Sequence, residues 1–154
     1  MSRSLTIAII GCGTAGLAAA LLLERAGHAV TLVERFSEPQ PLGSGLILQP
    51  SGLAVLNELG LAAPLIATGS RIDRLFGLNA TTDSVVLDVR YAALKREHFG
   101  VGIHRAALFE TLFASVQKRT VAIETGVEVG DIDASAGGKV SLIAAGGRRL
   151  GPFD

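Results

Sequence analysis

The sequence is poor in the residues that form disulfides and metal centres. Cys12 is its one cysteine, which excludes an internal disulfide, a CxxC redox pair and a multi-cysteine zinc site. A lone cysteine is in keeping with a reducing compartment, so we expect a cytoplasmic protein. No metal-ligand cluster, carboxylate pair or Ser, His and Asp set stands out. We therefore predict no metal site and assign no catalytic residue.

The chain also lacks an excess of basic over acidic residues, or of acidic over basic ones. The chain has 14 basic and 14 acidic residues, and neither sign forms a long block. Composition therefore gives no reason to expect nucleic acid or an anionic membrane surface as a partner. A chain of 154 residues can bury one real core, and this one shows neither an internal repeat nor a linker. We predict one domain over residues 1–154, without room for a separate substrate domain.

One long stretch near the amino terminus lacks charge altogether. After Arg3 the chain runs uncharged from Leu5 to Leu23, as a signal peptide or a membrane-spanning helix could. Glycines at 11, 13 and 16 interrupt this run, and Glu24-Arg25 ends it like a soluble helix. A strand, a turn and a helix therefore explain the stretch better, and we predict no membrane span.

The first part of the chain has the pattern of a βαβ unit. Leu5 to Ile10 is a continuous apolar run, which predicts a central strand covered on both faces of a parallel sheet. Thr14 to Ala26 is rich in Ala and Leu and precedes Gly27, which predicts a helix and its end. Ala29 to Val33 is a second apolar strand. These elements require a parallel crossover, so the fold class is α/β with a Rossmann-like unit.

The rest of the chain alternates less regularly. Residues 36–52 are rich in Gly and Pro, which predicts an irregular functional loop. Helices are predicted over Ser51 to Leu59 and His104 to Lys118, and a hairpin is predicted from Arg71 to Leu78 and Ser84 to Val89. Strands joined by glycine turns are predicted at 121–124, 127–134, 139–145 and from 148, as a β meander.

A glycine motif lies between the first strand and the first helix. Gly11-Cys12-Gly13-Thr14-Ala15-Gly16 is a GxGxxG, and its position between a strand and a helix makes the pattern informative. Gly11 permits a tight turn, Gly13 leaves space for a diphosphate, and Gly16 allows close packing. Backbone N–H groups and the helix dipole would then hold the phosphates. The alternative is a glycine turn without a ligand, and Cys12 is expected to be a packing residue rather than a reactive thiol.

An acid ends the second strand. Glu34 lies where a carboxylate can accept hydrogen bonds from a ribose hydroxyl, although a solvated acid at a strand end is the alternative. A carboxylate there would repel a 2′-phosphate, so the site should hold the ADP half of NAD or FAD rather than NADP. Arg35 could lie over the adenine or face solvent, and the sequence does not decide between the two.

Arg105 begins a predicted helix, where the dipole disfavours a cation unless an anion is near. A phosphate would satisfy that requirement, and pairing with Glu110 or Glu97 is the alternative. His104 is expected to be structural, and His28 and His98 are lone histidines without a catalytic assignment.

A nicotinamide-binding domain would continue with further helix–strand crossovers after Glu34, whereas a Gly/Pro loop follows here, which favours FAD. The chain resembles the amino-terminal region of FAD-dependent aromatic-ring monooxygenases, the para-hydroxybenzoate and salicylate hydroxylase family. The matching segments, in family order, are IAIIGCGTAGLAAALLLERAGHAVTLVER (7–35), GSGLILQPSGLAVLNELGL (43–61) and GIHRAALFETL (102–112).

The resemblance implies a site and a chemistry. In this family NAD(P)H, either NADH or NADPH, reduces the flavin, which then uses dioxygen to hydroxylate a small aromatic substrate. Gly45 would lie near the flavin, Arg105 would face the diphosphate, and the backbone of Val129 would touch the adenine. The implied FAD-binding residues are Gly11, Gly13, Thr14, Ala15, Gly16, Glu34, Arg35, Gly45, Arg105 and Val129.

The resemblance also places the family's Asp-Gly and Gly-Asp motifs and its substrate-binding sheet beyond Asp154. We therefore expect an FAD-binding portion truncated before a final strand and a substrate domain, and inactive by itself. Two other functions stay open: a halogenase or reductase of the same superfamily, and a non-catalytic remnant that binds ADP-containing ligands or nothing.

Overall fold

A computed structural model describes residues 3–41 and 43–154. The chain divides into two compact units, one formed by Met1–Pro41 and Phe109–Asp154 and the other by Leu42–Leu108. Within the described residues, no helix is long and apolar enough to cross a membrane.

The structure is a mixture of helices and strands. The strands are β1 (Thr6–Ile10), β2 (Ala29–Val33), β3 (Gly45–Leu48), β4 (Ser70–Ile72), β5 (Arg74–Leu78), β6 (Val85–Arg90), β7 (Gly100–His104), β8 (Ala122–Glu124), β9 (Val129–Ala136), β10 (Lys139–Ala144) and β11 (Arg149–Phe153). The helices are α1 (Thr14–Arg25), α2 (Pro50–Glu58), α3 (Ala62–Thr68) and α4 (Arg105–Val116).

The first unit contains a parallel sheet in the order β1-β2-β8. The helix α1 connects β1 to β2, so the predicted strand, helix and parallel strand are all present. The prediction that β1 is central was wrong, because β2 occupies the middle of this sheet and Ile10 is 53% exposed. The faces of β1 are also only partly covered, since none of its residues is fully buried. An apolar run favours burial, but pairing and packing elsewhere in the chain decide which neighbours a strand has.

A meander in the order β11-β10-β9 completes this unit. Leu142, Leu150 and Phe153 of the meander form a buried cluster with Val33 of β2 and with Val127, which precedes β9. Apolar burial of this kind is the main stabilising term, at about 25 cal/mol per Å² removed from water. The cluster therefore anchors the carboxyl end of β2, where the predicted site residue Glu34 follows.

The second unit contains an antiparallel sheet in the order β3-β7-β4 and the separate hairpin of β5 and β6. One face of the sheet is buried through Leu48, Val101 and Ile103. Inside this unit Tyr91 is buried, and its hydroxyl donates a hydrogen bond to Gln49 Oε1 at 2.8 Å.

Four described elements of the second unit were not predicted: β3, β7, α3 and a short 3-10 helix at Tyr91–Ala93. The strand β3 lies inside the segment 36–52, which was predicted to be irregular and whose Leu42 falls outside the described residues. Both β3 and β7 are short and interrupted by glycine, so neither shows a clear alternation. The helix α3 carries Pro64 in its first turn, where a missing N–H costs nothing.

Candidate cofactor-binding site

The glycine motif forms a tight turn from β1 into α1. Gly11 has φ +102°, which favours glycine, and its N–H donates to the carbonyl oxygen of Val33 at 2.8 Å. This bond fixes the start of the loop to the end of β2. A Cβ on Gly16 would collide with the carbonyl oxygen of Gly11, so the third glycine allows the helix to approach the loop itself.

The first turn of α1 faces open space. Gly13 is the N-cap residue, no side chain caps it, and the first turn contains no acidic residue. A Cβ on Gly13 would meet no atom within 4 Å. The leading N–H groups of an α-helix have no partner within the helix, and the positive end of its dipole lies there. The turn that includes Thr14 and Ala15 can therefore accept an anion.

Glu34 lies beside this turn and is 9% exposed. Its Oε2 accepts a hydrogen bond from the backbone N–H of Cys12 at 2.7 Å, and its Oε1 accepts one from Phe36 N–H at 3.0 Å. Glu34 is therefore not a solvated acid at the end of a strand, which was the alternative interpretation of this residue. The motif and the acid are thus held together by a direct bond that the sequence pattern does not reveal.

Cys12 packs inside the same loop. Its side chain is 2% exposed, and burial together with the negative charge of Glu34 raises the pKa of the thiol from 9.0 to about 11. A thiol with such a pKa is protonated at neutral pH and is a weak nucleophile. This environment agrees with the prediction that Cys12 is a packing residue.

Two further predicted residues of the first unit flank the strands. The guanidinium of Arg35 lies over the ring of Phe36, 4.6 Å from its centroid, and both side chains are exposed. Val129 begins β9 in register with Ala144 and packs against the buried cluster that includes Val33.

The remaining predicted residues belong to the second unit. Gly45 pairs with His104 between β3 and β7, and the N–H of Arg105 donates to Ser44 O at 3.0 Å. The side chain of Arg105 passes Gly43, since a Cβ on that glycine would lie 3.4 Å from Nε. Within the described residues its guanidinium forms no ion pair, so neither Glu97 nor Glu110 holds it.

The three histidines differ in their surroundings. His28 Nδ1 accepts a hydrogen bond from Leu5 N–H at 3.2 Å, which makes it a structural residue. His98 Nδ1 is buried without a hydrogen-bond partner among the described residues. His104 is exposed at the end of β7, and its imidazole forms no hydrogen bond within the part of the chain that the structure describes, so its structural role stays a prediction.

A known family matches nearly the whole chain. The family described as FAD binding domain matches residues 4–140. The chain belongs to the FAD binding domain family. This result confirms the resemblance drawn from the three sequence segments, because the match covers all of them.

Relatives of this FAD binding domain are named hydroxylases. The chain is 34% identical over 131 residues to 3-hydroxybenzoate 6-hydroxylase 1 of Aquipseudomonas alcaligenes, covering 82% of this chain and 33% of that protein. It is 34% identical over 130 residues to phenazine 1,6-dicarboxylic acid hydroxylase PhzS of Lysobacter antibioticus, covering 82% and 32%. The chain thus spans about a third of the length of these curated relatives.

Solved structures share the fold. The tetrameric form of 2-methyl-3-hydroxypyridine-5-carboxylic acid oxygenase superposes with a TM-score of 0.78 at 22% identity, covering 98% of this chain and 38% of that one. PqsL, a probable FAD-dependent monooxygenase from Pseudomonas aeruginosa, gives a TM-score of 0.74 at 20% identity, covering 96% and 40%. The mixed α/β architecture is therefore that of FAD-dependent monooxygenases.

Proposed function

We propose that residues 1–154 are the FAD-binding portion of a flavin-dependent monooxygenase, built on a Rossmann-like βαβ unit. The observation that carries the proposal is the 2.7 Å bond from Cys12 N–H to the carboxylate of Glu34. It places an acid suited to a ribose beside an uncapped helix start suited to a diphosphate. These two features together match the ADP half of FAD.

The diphosphate would be held by the glycine loop and the first turn of α1. Gly13 leaves the space in front of the helix open, and neither a capping side chain nor an acid competes for the leading N–H groups. Thr14, Ala15 and Gly16 would offer these groups to the phosphate oxygens. Arg105, whose guanidinium has no acidic partner among the described residues, would supply a cation.

Glu34 would accept hydrogen bonds from the ribose. Each of its carboxylate oxygens accepts one backbone N–H, and a carboxylate has room for about four such bonds, so acceptor capacity remains. A buried negative charge at this point would repel a 2′-phosphate, which disfavours NADP as the bound nucleotide. Arg35 and the backbone of Val129 would complete the adenosine side.

The bound flavin would supply the redox chemistry, taking electrons from NADH or NADPH and passing them to dioxygen. The contribution of this chain would be to bind and orient that group. The names of the relatives, among them a hydroxybenzoate hydroxylase, support a small aromatic substrate for the whole protein. No protein side chain needs to act as a nucleophile in this proposal.

The proposal is tested on the purified full-length protein. We expect a yellow protein that releases FAD on denaturation, rather than FMN or NAD, when the released cofactor is separated by chromatography. It should then consume NADH or NADPH in the presence of dioxygen and form a hydroxylated product from one member of a phenol panel. A colourless protein that does not take up added FAD would refute the cofactor assignment, and a yellow one without such a product would refute the reaction.

A further inference from the structure

A cavity of about 260 Å³ lies within the second unit. Its walls come from α2, from α3 and from residues 97–99, which lead into β7. It shares no residue with the proposed FAD site. We call it the α2 cavity.

Most of the wall is apolar. The lining residues of α2 recur at spacings of three and four, which puts them on one face of the helix: Pro50, Leu53, Ala54 and Asn57. Ile66 of α3 and Phe99 add further apolar side chains. An apolar cavity of about 150 Å³ is large enough to hold benzene. The α2 cavity can therefore hold a ring of similar size together with one substituent.

The polar groups of the lining belong to Asn57, Glu97 and His98. The N–H of His98 donates to Lys95 O at 2.9 Å, and this turn holds Glu97 and His98 beside the cavity. Nδ1 of His98 is buried without a hydrogen-bond partner among the described residues, so only Nε2 can meet a ligand. Asn57 and Glu97 are exposed, and their side chains bond to no other described residue. Two side chains with oxygen acceptors are thus available to a ligand.

Glu97 gives the cavity a negative charge. Among the described residues that line it, no Lys or Arg opposes this carboxylate. Lys95 and Arg96 precede Glu97 in the chain, but both are exposed, and neither lines the cavity or pairs with Glu97. The guanidinium of Arg71 packs on one wall residue and is already paired with Asp73 at 2.9 Å. A cation would therefore meet a carboxylate without a competing partner, whereas an anion would be repelled.

We propose that the α2 cavity binds a small alkylammonium ion. Its hydrocarbon part would pack against the apolar wall, and its N–H groups would donate to the Glu97 carboxylate and to Asn57 Oδ1. An ammonium group carries three donors and no acceptor, so it matches a site whose exposed side chains offer acceptors. The inference goes beyond the proposed function, because it concerns other residues and another ligand chemistry.

The test titrates cyclohexylamine into the purified full-length protein and follows the ligand by NMR. The pH is about 8, where alkylamines are charged and imidazoles are ordinarily neutral. Cyclohexanol offers the same ring without the charge, and cyclohexanecarboxylate reverses the charge. We expect the amine to bind about threefold more tightly than the alcohol, the scale of an exposed ion pair, and the carboxylate to bind most weakly.

Ala54→Leu tests the apolar wall, because the larger side chain occupies space in the cavity. It should weaken the binding of cyclohexylamine about tenfold. The matched control is Ala67→Leu, which makes the same change at an exposed position of α3 outside the cavity. Alanine and leucine are both good helix formers, so neither change should disrupt its helix, and circular dichroism checks this.

Glu97→Gln tests the charge. It should weaken the binding of cyclohexylamine about threefold at low salt and less at high salt, and leave that of cyclohexanol unchanged. The matched control is Glu110→Gln, which removes the same charge from an exposed position of α4 outside the cavity. This control should bind both ligands like the parent.

The outcomes decide whether the amine occupies the α2 cavity. Weaker amine binding in Ala54→Leu and Glu97→Gln, with both controls like the parent, supports the inference. A parent that binds no amine, or binds the amine no better than the alcohol, overturns it. Unchanged binding in a folded test variant, or equal losses in Glu97→Gln and Glu110→Gln, also overturns it. If Ala54→Leu is unfolded, the comparison of Glu97→Gln with Glu110→Gln decides alone. Flavin content enters none of these results, so the proposed FAD site stands or falls separately.

Discussion

Removal of the Glu34 carboxylate is the sharpest perturbation of the proposed site. Glu34→Ala removes the acceptors of two backbone hydrogen bonds. One is donated by Cys12 N–H at 2.7 Å and the other by Phe36 N–H at 3.0 Å. It also deletes the proposed acceptor for the ribose. The substitution should therefore affect both the stability of the protein and its affinity for FAD, by different amounts.

The magnitudes follow from the burial of each group. The Cys12 bond is buried, so its N–H would be left without a partner, at a cost of about 1–3 kcal/mol of unfolding free energy. The Phe36 N–H is only part-buried and can turn to water at a smaller cost. Hydrogen bonds from the ribose to a charged acceptor contribute about 1.5–3 kcal/mol, or about 10- to 150-fold in Kd.

The assay keeps the two effects apart. Apoprotein is titrated with FAD at low temperature, where each variant is folded, and Kd is obtained from quenching of flavin fluorescence. Unfolding in urea without FAD gives the stability. Glu124→Ala is the matched control, because Glu124 ends the neighbouring strand, its side chain is 42% exposed, and it pairs with Arg148. Such a surface pair contributes about 0–1 kcal/mol, so this variant should bind FAD normally.

One result would refute the reasoning. If Glu34→Ala loses stability as expected but binds FAD within about twofold of the parent, a difference of about 0.4 kcal/mol, the ribose has no bond to Glu34. The acid would then be a structural residue that holds the glycine loop. If Glu34→Ala and Glu124→Ala lose equal affinity for FAD, the loss follows from the change in net charge and not from a contact between Glu34 and the ribose.

Three further predictions concern the same site. Gly13→Val should bind FAD more weakly than Glu34→Ala does, because the valine side chain fills the space proposed for the diphosphate. A Cβ at this position meets no protein atom within 4 Å, so the fold should be kept. The flavin content of the purified variant measures the loss of binding. Arg105→Ala should weaken FAD binding by an amount that shrinks as salt rises, measured by titration at low and high ionic strength. Stability conferred by the neutral Cys12 thiol is full below pH 9.0 and is lost as pH rises towards the folded pKa of about 11, because the unfolded thiol ionises first. Unfolding in urea should therefore show a steeper decline above pH 9.0 in the parent than in Cys12→Ala.

Each of these predictions can fail in its own way. Full flavin in Gly13→Val would show that the loop does not cradle the diphosphate. An affinity of Arg105→Ala equal to that of the parent at both salt concentrations would make Arg105 a surface residue. Parallel pH profiles for the parent and Cys12→Ala would show that the thiol ionises as easily in the folded protein as in the unfolded chain.

Local pattern predicted the first unit well because its elements are regular. The helix α1 begins at Thr14, and β2 has the predicted bounds Ala29–Val33. Strand neighbours could not be predicted in this way, since the position of β1 at the sheet edge depends on pairing rather than on its own residues. The second unit was predicted less well, because β3 and β7 combine short length with internal glycine.

The candidate site, like the fold, could be predicted from the sequence only where its requirements are local. The spacing of the glycines and the acid predicted the candidate residues, because each requirement is local: a tight turn, an open helix start and an acid after a strand. The contact between Cys12 N–H and Glu34 is not local, and no property of either residue type indicates it. Parallel pairing of β1 with β2 supplies the missing information, since it brings the ends of both strands to one edge.

That contact has a consequence for how the site would respond to its ligand. The carboxylate proposed to accept the ribose hydroxyls also fixes the amide of Cys12, one residue from Gly13 at the start of α1. Ribose recognition and the shape of the phosphate loop therefore depend on one side chain. A ligand that binds only the folded state stabilises it by RT ln(1 + [L]/Kd), so occupancy of the site should also protect the loop. A nucleoside that offers its ribose to Glu34 but lacks the diphosphate, such as adenosine, should have a larger Kd and give only part of this protection at an equal ligand concentration. Equal protection by adenosine and FAD at equal concentration, measured by hydrogen exchange of the loop amides, would mean that the first turn of α1 holds no phosphate.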